Sequence, residues 1–172
     1  AGTGLVGGAI GDGLVVDFAR FNQQIGDLDL ERRTVRVGPG VVLDQLNNFL
    51  RPHGFCFGPD VATSSRATLG GMIANDSSGA HTPVYGTTAD HISELEIVTG
   101  DGSIVAVGPR HDTLRLQREA VESLVLLNAL TIAERLPAGL LKRWPGYGLA
   151  RCAREPNNLN HLLCGSEGTL AA

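Results

Sequence analysis

The sequence predicts an α+β fold on three observations. The first third reads as strand, strand and amphipathic helix; the middle carries an apolar hairpin pattern; and a long stretch free of Gly and Pro follows it. With 172 residues, 42% hydrophobic and 19% charged, the chain is long enough to bury one core or two small lobes and too apolar for disorder. Glycine is the compositional outlier at 23 residues, with no collagen period, so many backbone positions must turn tightly or lie close to something.

The elements follow in order. LVVD (14–17) is a short apolar run after Gly13 and reads as a strand, and TVRVGPG (34–40) alternates Val35 and Val37 with Thr34 and Arg36 before a turn. VVLDQLNNFL (41–50) places Val42, Leu46, Phe49 and Leu50 on one helical face, closed by Pro52 and Gly54. In HISELEIVTGDGSIVAVG (91–108), Ile92, Leu95, Ile97 and Val98 form one strand, Gly100, Asp101 and Gly102 the turn, and Ile104, Val105 and Val107 the return strand. Residues 115–135 read as one or two amphipathic helices, and 143–158 as loop, with WPGYG and REPNN as breakers. A last short helix over 158–163 ends at Gly165.

Charge and cysteine usage narrow the function classes. A formal charge of -4 without basic runs argues against a nucleic-acid partner, which needs a Lys/Arg stripe to displace counterions. Cys56, Cys152 and Cys164 are odd in number and lie in no zinc spacing, and His111 beside Asp112 is too little for a metal site, so no metal ligands are assigned. The expected compartment is reducing and cytoplasmic. No apolar run reaches spanning length, and the opening residues lack a signal-type pattern.

Three clusters of glycine and small residues stand apart from the elements: 1–8, TLGGMIANDSSG (68–79) and GSEGTLA (165–171). Each combines a backbone free of bulk with Ser, Thr or Asn, as a loop must to lie against a phosphate or flat ring and offer N–H groups to it. Any one alone would read as a tight turn; three in one small domain point to one extended ligand. The first gives Gly-x-Gly-x-x-Gly at Gly2, Gly4 and Gly7, but Asp17 closes LVVD too early for a dinucleotide fingerprint.

Four ordered segments carry a family resemblance: GTGLVGG (2–8), FGPDVATSSRATLGGMIANDSSGAHTPVYG (57–86), ISELEIVTGDGS (92–103), and GYGL with GSEGTLA (146–171). Together they resemble the FAD-binding domain of the FAD-linked oxidases, the vanillyl-alcohol oxidase or PCMH type. The nearest likeness is to glycolate oxidase and D-lactate dehydrogenase-like 2-hydroxy acid dehydrogenases. The resemblance implies a two-lobed α+β domain, one lobe with a small parallel sheet and one with an antiparallel sheet, and FAD extended between them. Residues 1–57 would form the first lobe and 58–172 the second. Family members carry a strand and helix before the opening loop and a substrate-covering domain after the last turn, so the chain is expected to be a fragment, incomplete at both ends.

The resemblance also implies the site residues. Gly2, Thr3, Gly4 and Leu5 would form the pyrophosphate loop, taking phosphate charge on backbone N–H groups. Pro59 and Asp60 match the step before the second FAD segment. Thr68, Gly70, Gly71, Asn75, Asp76, Ser77, Ser78 and Gly79 match the segment along the flavin ring and phosphates. Ile97 would lie where main-chain groups hold the adenine end, Tyr147 matches a family aromatic although Gly148 replaces the usual polar residue after it, and Glu167, Gly168 and Thr169 match the final FAD-contacting turn.

FAD is expected to be noncovalent, with His81 as a hydrogen-bonded scaffold residue rather than a flavin link. His53 and His91 read as structural, His111 and His161 as solvent-facing, and Trp144 as a loop pin. The implied activity is oxidation of a D-2-hydroxy acid resembling lactate, glycolate or 2-hydroxyglutarate by hydride transfer to flavin. The catalytic base is left unassigned, because the family supplies it from the covering domain. GFCFGPD and NDSSGAHTPVYGTT are most similar to long members fused to an iron–sulfur segment, which implies an iron–sulfur centre or a quinone as electron acceptor. A location peripheral to the inner membrane would fit that acceptor, and exposed sheet edges would allow a dimer. A non-catalytic FAD-binding or electron-transfer subunit, and a plain scaffold whose glycines only make turns, remain open on the residues alone.

Overall fold

A computed structural model of the chain describes residues 2–5, 7–13, 15–136 and 146–172. The expected loop pin Trp144 lies outside the described residues.

The first hairpin pairs β1 (Ile25–Asp29) antiparallel with β2 (Thr34–Val37). Its turn is closed by the Asp29 carboxylate, which accepts the Arg32 N–H at 2.8 Å, and by Arg33 in the left-handed region at φ 54°. Ile25 faces Val37 and Leu28 faces Val35, with the register slipping between Ile25 and Leu28. That irregularity lets two apolar residues three positions apart share one face of the pair.

This corrects two expectations. LVVD forms no strand among its described residues, and Val15 and Val16 are exposed. The partner of TVRV is IGDLD, whose bulge hides the alternation that marks a strand. The small parallel sheet expected of the first lobe is likewise this antiparallel pair.

α1 (Leu43–Leu50) buries Leu43, Leu46 and Leu50 at helical spacing, and the Gln45 side chain accepts the Val42 N–H at 3.0 Å to cap its start. Gly54, at φ 77°, ends the short 3-10 turn that follows. Val41, Leu46, Leu50 and Leu69 form the core under the first hairpin, with Ile25, Leu28, Val35, Val37 and Phe49 packed against them.

An antiparallel bridge between Val42 and Thr68, flanked by Leu43 N–H to Ala67 C=O at 2.9 Å and Leu69 N–H to Val41 C=O at 2.8 Å, ties the middle of the chain to this core. It also starts α2 (Leu69–Ala74), a helix within the segment read as a glycine-rich loop. Leu69 and Met72 bury its inner face. Gly70 is required at the contact with Pro39, where a Cβ would lie 2.7 Å from the proline Cβ. Gly70, which argues against a helix by propensity, is here the condition for its packing.

α3 (Thr82–Tyr85) and a 3-10 turn (Thr88–His91) lead into β3 (Leu95–Val98) and β4 (Ile104–Val107), paired one-to-one as expected. Asp101 closes that hairpin. Its carboxylate accepts the Thr99 hydroxyl at 2.5 Å and the Ser103 N–H at 3.0 Å, which hold its pKa below the ordinary value. Arg36 and Glu96, 2.8 Å apart, join the two hairpins at the surface.

The stretch after the second hairpin is two helices, α4 (Arg115–Leu127) and α5 (Ala129–Arg135). They part at Asn128, whose side-chain amide turns back to the Leu124 carbonyl at 2.8 Å. They pack through Val125 and Ile132 against Cys152, Leu149 and Leu162 from α6 (Leu149–Cys152) and α7 (Asn160–Leu163). α6 lies in a stretch read as loop. Burial pushes the thiols of Cys152 and Cys164 up to about 11 and about 12 respectively. Among the described residues no helix is long and apolar enough to cross a membrane.

Candidate functional site

The three glycine-rich clusters meet at the C-terminal end of α2. The carbonyls of Ile73 and Ala74, in its last turn, accept the N–H groups of Gly165 and Glu167, each at 2.9 Å. The Ile73 carbonyl also takes the Asp76 N–H at 3.1 Å, so the GSEGT turn adds to the cap that ends α2. Gly165 sits at φ 89° with the Gly146 carbonyl 2.5 Å from where a Cβ would be, so its lack of a side chain lets the two segments touch.

Tyr147 and Thr169 add a second link between the same segments, their hydroxyls 2.7 Å apart. The opening loop completes the cluster. A Cβ on Gly4 would lie 3.5 Å from Asn75 Oδ1, and one on Gly8 3.4 Å from Glu167 Oε2. The Asn75 amide nitrogen donates to the Gly71 carbonyl at 3.0 Å, which leaves its oxygen turned toward Gly4.

Behind this surface the 68–79 segment is held by protein groups. Asp76 is a non-glycine residue at φ 45°. Its Oδ1 accepts the Ala89 N–H at 2.8 Å and its Oδ2 the Arg151 Nη1 at 2.9 Å. The Ser77 carbonyl takes the Thr88 N–H at 2.9 Å and the Thr88 hydroxyl at 2.7 Å. Ser78 follows, half-buried. Gly79 packs on Asp60, where a Cβ would meet the Asp60 carbonyl oxygen and Oδ1 at 2.2 Å. Pro59 is fully buried beside it. Asp60 receives the His81 N–H at 3.2 Å and the His81 Nδ1, and that imidazole hydrogen bond is the largest influence holding its carboxyl below the ordinary 3.8.

The sequence-assigned residues therefore divide. Gly2, Thr3, Gly4 and Leu5 are exposed, Gly71 is exposed, Gly168 and Thr169 are exposed, and Asn75 faces the opening loop. Asp60, Asp76, Gly70 and Gly79 are committed to contacts within the protein. Thr68 starts α2 and lies half-buried under Gly71. Ile97 is buried in β3, opposite Val105. It reaches the cluster through its neighbour Val98, which exchanges hydrogen bonds with Ala172 at 2.8 and 3.0 Å and so anchors the strand of chain leading from the GSEGT turn.

Arg151 is the residue that sequence reasoning passed over. It joins Asp76, Thr87 and Asp90, partners 61 to 75 positions away, so no local motif could announce it. The histidines also differ in part from expectation. His91 is structural, donating from Nε2 to the Tyr85 carbonyl at 2.8 Å. His111 and His161 are half-buried and paired with Glu94 at 2.6 Å and Glu155 at 2.9 Å, rather than turned to solvent. Each pairing holds its glutamate below the usual carboxylate range.

The donor set suits a phosphorylated, flat, extended molecule. Gly2 and Gly7 occupy the left-handed region at φ 63° and 80° with open space where a Cβ would stand, and Gly168 does so at φ 77° on the facing turn. The backbone at these glycines is open to approach from that side, with the Asn75 amide beside Gly4 and the Glu167 carboxylate beside Gly8, and backbone N–H groups in such a loop can receive phosphate oxygens without a Lys or Arg. The residues present thus fit a nucleotide cofactor.

Known proteins agree with that chemistry. The family model described as FAD binding domain matches residues 1–108, ending just after β4. The chain is 39% identical over 183 residues to the D-2-hydroxyglutarate dehydrogenase of Pantoea ananatis, covering 99% of this chain and 18% of that protein. It is 31% identical over 172 residues to the D-lactate dehydrogenase of Archaeoglobus fulgidus, covering 99% of this chain and 29% of that one. The glycolate oxidase subunit GlcD of Escherichia coli strain K12 is 34% identical over 110 residues, covering 63% of this chain and 22% of that subunit. The chain therefore spans less than a third of the length of the curated relatives it matches.

Proposed function

The chain belongs to the FAD binding domain family, and from that premise we propose that it is the noncovalent FAD-binding part of an oxidoreductase acting on a D-2-hydroxy acid. D-2-hydroxyglutarate is the first candidate substrate, after the relatives matching nearly the whole chain at the highest identity, and D-lactate and glycolate follow. The observation that carries the reading is the meeting of all three glycine-rich clusters at the end of α2.

The chain's own residues bind and orient. Backbone N–H groups of Gly2, Thr3, Gly4 and Leu5 would receive the pyrophosphate. Asn75 and Gly71, with Ser77 and Ser78 behind them, would line the ring side; Glu167, Gly168 and Thr169 would close the opposite side, with Tyr147 fixing Thr169. The main chain at Ile97 would face the adenine end. When bound, FAD supplies an acceptor for the hydride at C2 of the hydroxy acid. An iron–sulfur centre or a quinone would be the electron acceptor, and residues 1–57 and 58–172 would be the two lobes about the cofactor.

The test is anaerobic flavin bleaching in the intact protein, with D-2-hydroxyglutarate, D-lactate, glycolate and L-2-hydroxyglutarate offered in turn. Bleaching by a D-2-hydroxy acid and not by the L-enantiomer supports the reading. Bound flavin that none of the acids reduces would make the chain a flavin or electron carrier instead.

A further inference from the structure

We propose that Arg151 is the positioning residue of the cofactor cradle: through Asp76 it sets Asn75 against the opening glycine loop. The inference rests on the FAD reading above.

Arg151 is buried on α6, with its side chain 7% exposed. Its Nη1 donates to Asp76 Oδ2 at 2.9 Å, and its Nη2 to Asp90 Oδ2 at 2.9 Å and to the Thr87 hydroxyl at 2.5 Å. Asp76, with its side chain 13% exposed, also accepts the Ala89 N–H, so both of its carboxylate oxygens are engaged. A planar guanidinium reaching separate acceptors in one buried place fixes direction as well as charge.

What is fixed matters because of where Asp76 stands. At φ 45° it stands in the left-handed region, which asparagine and aspartate enter more readily than other side chains, and here its carboxylate is held on both oxygens. The turn it makes follows directly on Asn75, the residue at the end of α2, whose side chain lies against Gly4, and turns the Ser77 carbonyl onto Thr88. Gly165 touches the same turn, since a Cβ there would lie 3.4 Å from Asp76 Cβ. Arg151 is thus bonded to a residue that follows Asn75 directly and packs against Gly165, so it touches the junction of two of the three clusters without itself lying among the exposed loop residues.

Arg151→Met and Arg151→Lys in the intact protein separate positioning from stability. FAD affinity is read by flavin fluorescence well below each variant's melting temperature, together with the visible circular dichroism of the bound flavin. We expect the Met variant to weaken FAD binding by roughly tenfold and to alter the flavin dichroism, with Lys recovering part of both because it can still pair with Asp76. Variants that melt earlier yet bind FAD with wild-type affinity and dichroism would overturn the proposal. Should the Met variant fail to fold, the Lys variant decides on the same two readouts. A wild-type protein that binds no FAD would overturn the FAD reading, and this inference with it.

Discussion

Tyr147 donates its phenolic hydrogen to Thr169 Oγ1 across 2.7 Å, because the Thr169 hydroxyl spends its own proton on the Ser166 carbonyl at 2.6 Å. The direction of that bond makes the aromatic residue of the GYGL segment a brace for the GSEGT turn. Tyr147→Phe removes the donor and leaves the ring. Because the tyrosine is partly exposed, the stability cost is expected to be about 1 kcal/mol or less, readable by thermal denaturation. FAD affinity should fall in parallel as the turn loosens.

Gly79 and Gly71 should respond in opposite ways to a side chain. Gly79→Ala drives a Cβ to 2.2 Å from the Asp60 carbonyl oxygen, a backbone atom that cannot step aside, so a loss of about 1–3 kcal/mol is expected by chemical denaturation. Gly71→Val meets only the Thr68 hydroxyl, 3.2 Å from the first added atom, and projects from an exposed position. It should leave the fold near wild-type stability while abolishing FAD binding, as titration with FAD would show.

Acid should weaken the fold through three carboxylates paired with histidines. Asp60, Glu94 and Glu155 are held below their ordinary values of 3.8, 4.5 and 4.5, chiefly by hydrogen bonds from His81, His111 and His161. A carboxyl with a lowered folded-state pKa binds protons more readily when unfolded, so its contribution is complete above the ordinary value and lost as pH falls through the lowered one. Denaturation midpoints should therefore decline below about pH 4.5, and Glu94→Gln should flatten part of that decline.

The thiols should sort by burial. Cys56 is exposed, whereas Cys152 and Cys164 are buried with thiol pKa values raised to about 11 and about 12. Brief alkylation at neutral pH should label Cys56 alone, since the thiolate is the reacting species, and mass spectrometry after digestion would read it. Labelling of Cys164 at a similar rate would contradict the packing of the last turn.

The parts of the fold legible in the sequence were those with local causes. The β3–β4 hairpin shows itself by apolar runs around a Gly-Asp-Gly turn, and α1 by Leu46 and Leu50 on one face. β1 is hidden because its bulge sets Ile25 and Leu28 three apart, a helical spacing rather than the alternation of a strand. α2 stayed hidden because helix propensity counts against Gly70 and Gly71, while the Val42–Thr68 bridge and the close seat on Pro39 that hold it are long-range. At the site, glycine clustering was visible as composition. Arg151, which holds Asp76 from behind, was not, because its partners are brought to it only by the fold.

Under the proposed function the three clusters would form one noncovalent FAD cradle. The most direct measurement is the visible absorption spectrum of the intact purified protein after gel filtration with FAD, repeated on the supernatant after acid precipitation. A flavin band should travel with the protein and be released into the acid supernatant. Protein that emerges without flavin would contradict the cradle, and flavin that stays in the acid pellet would contradict its noncovalent character.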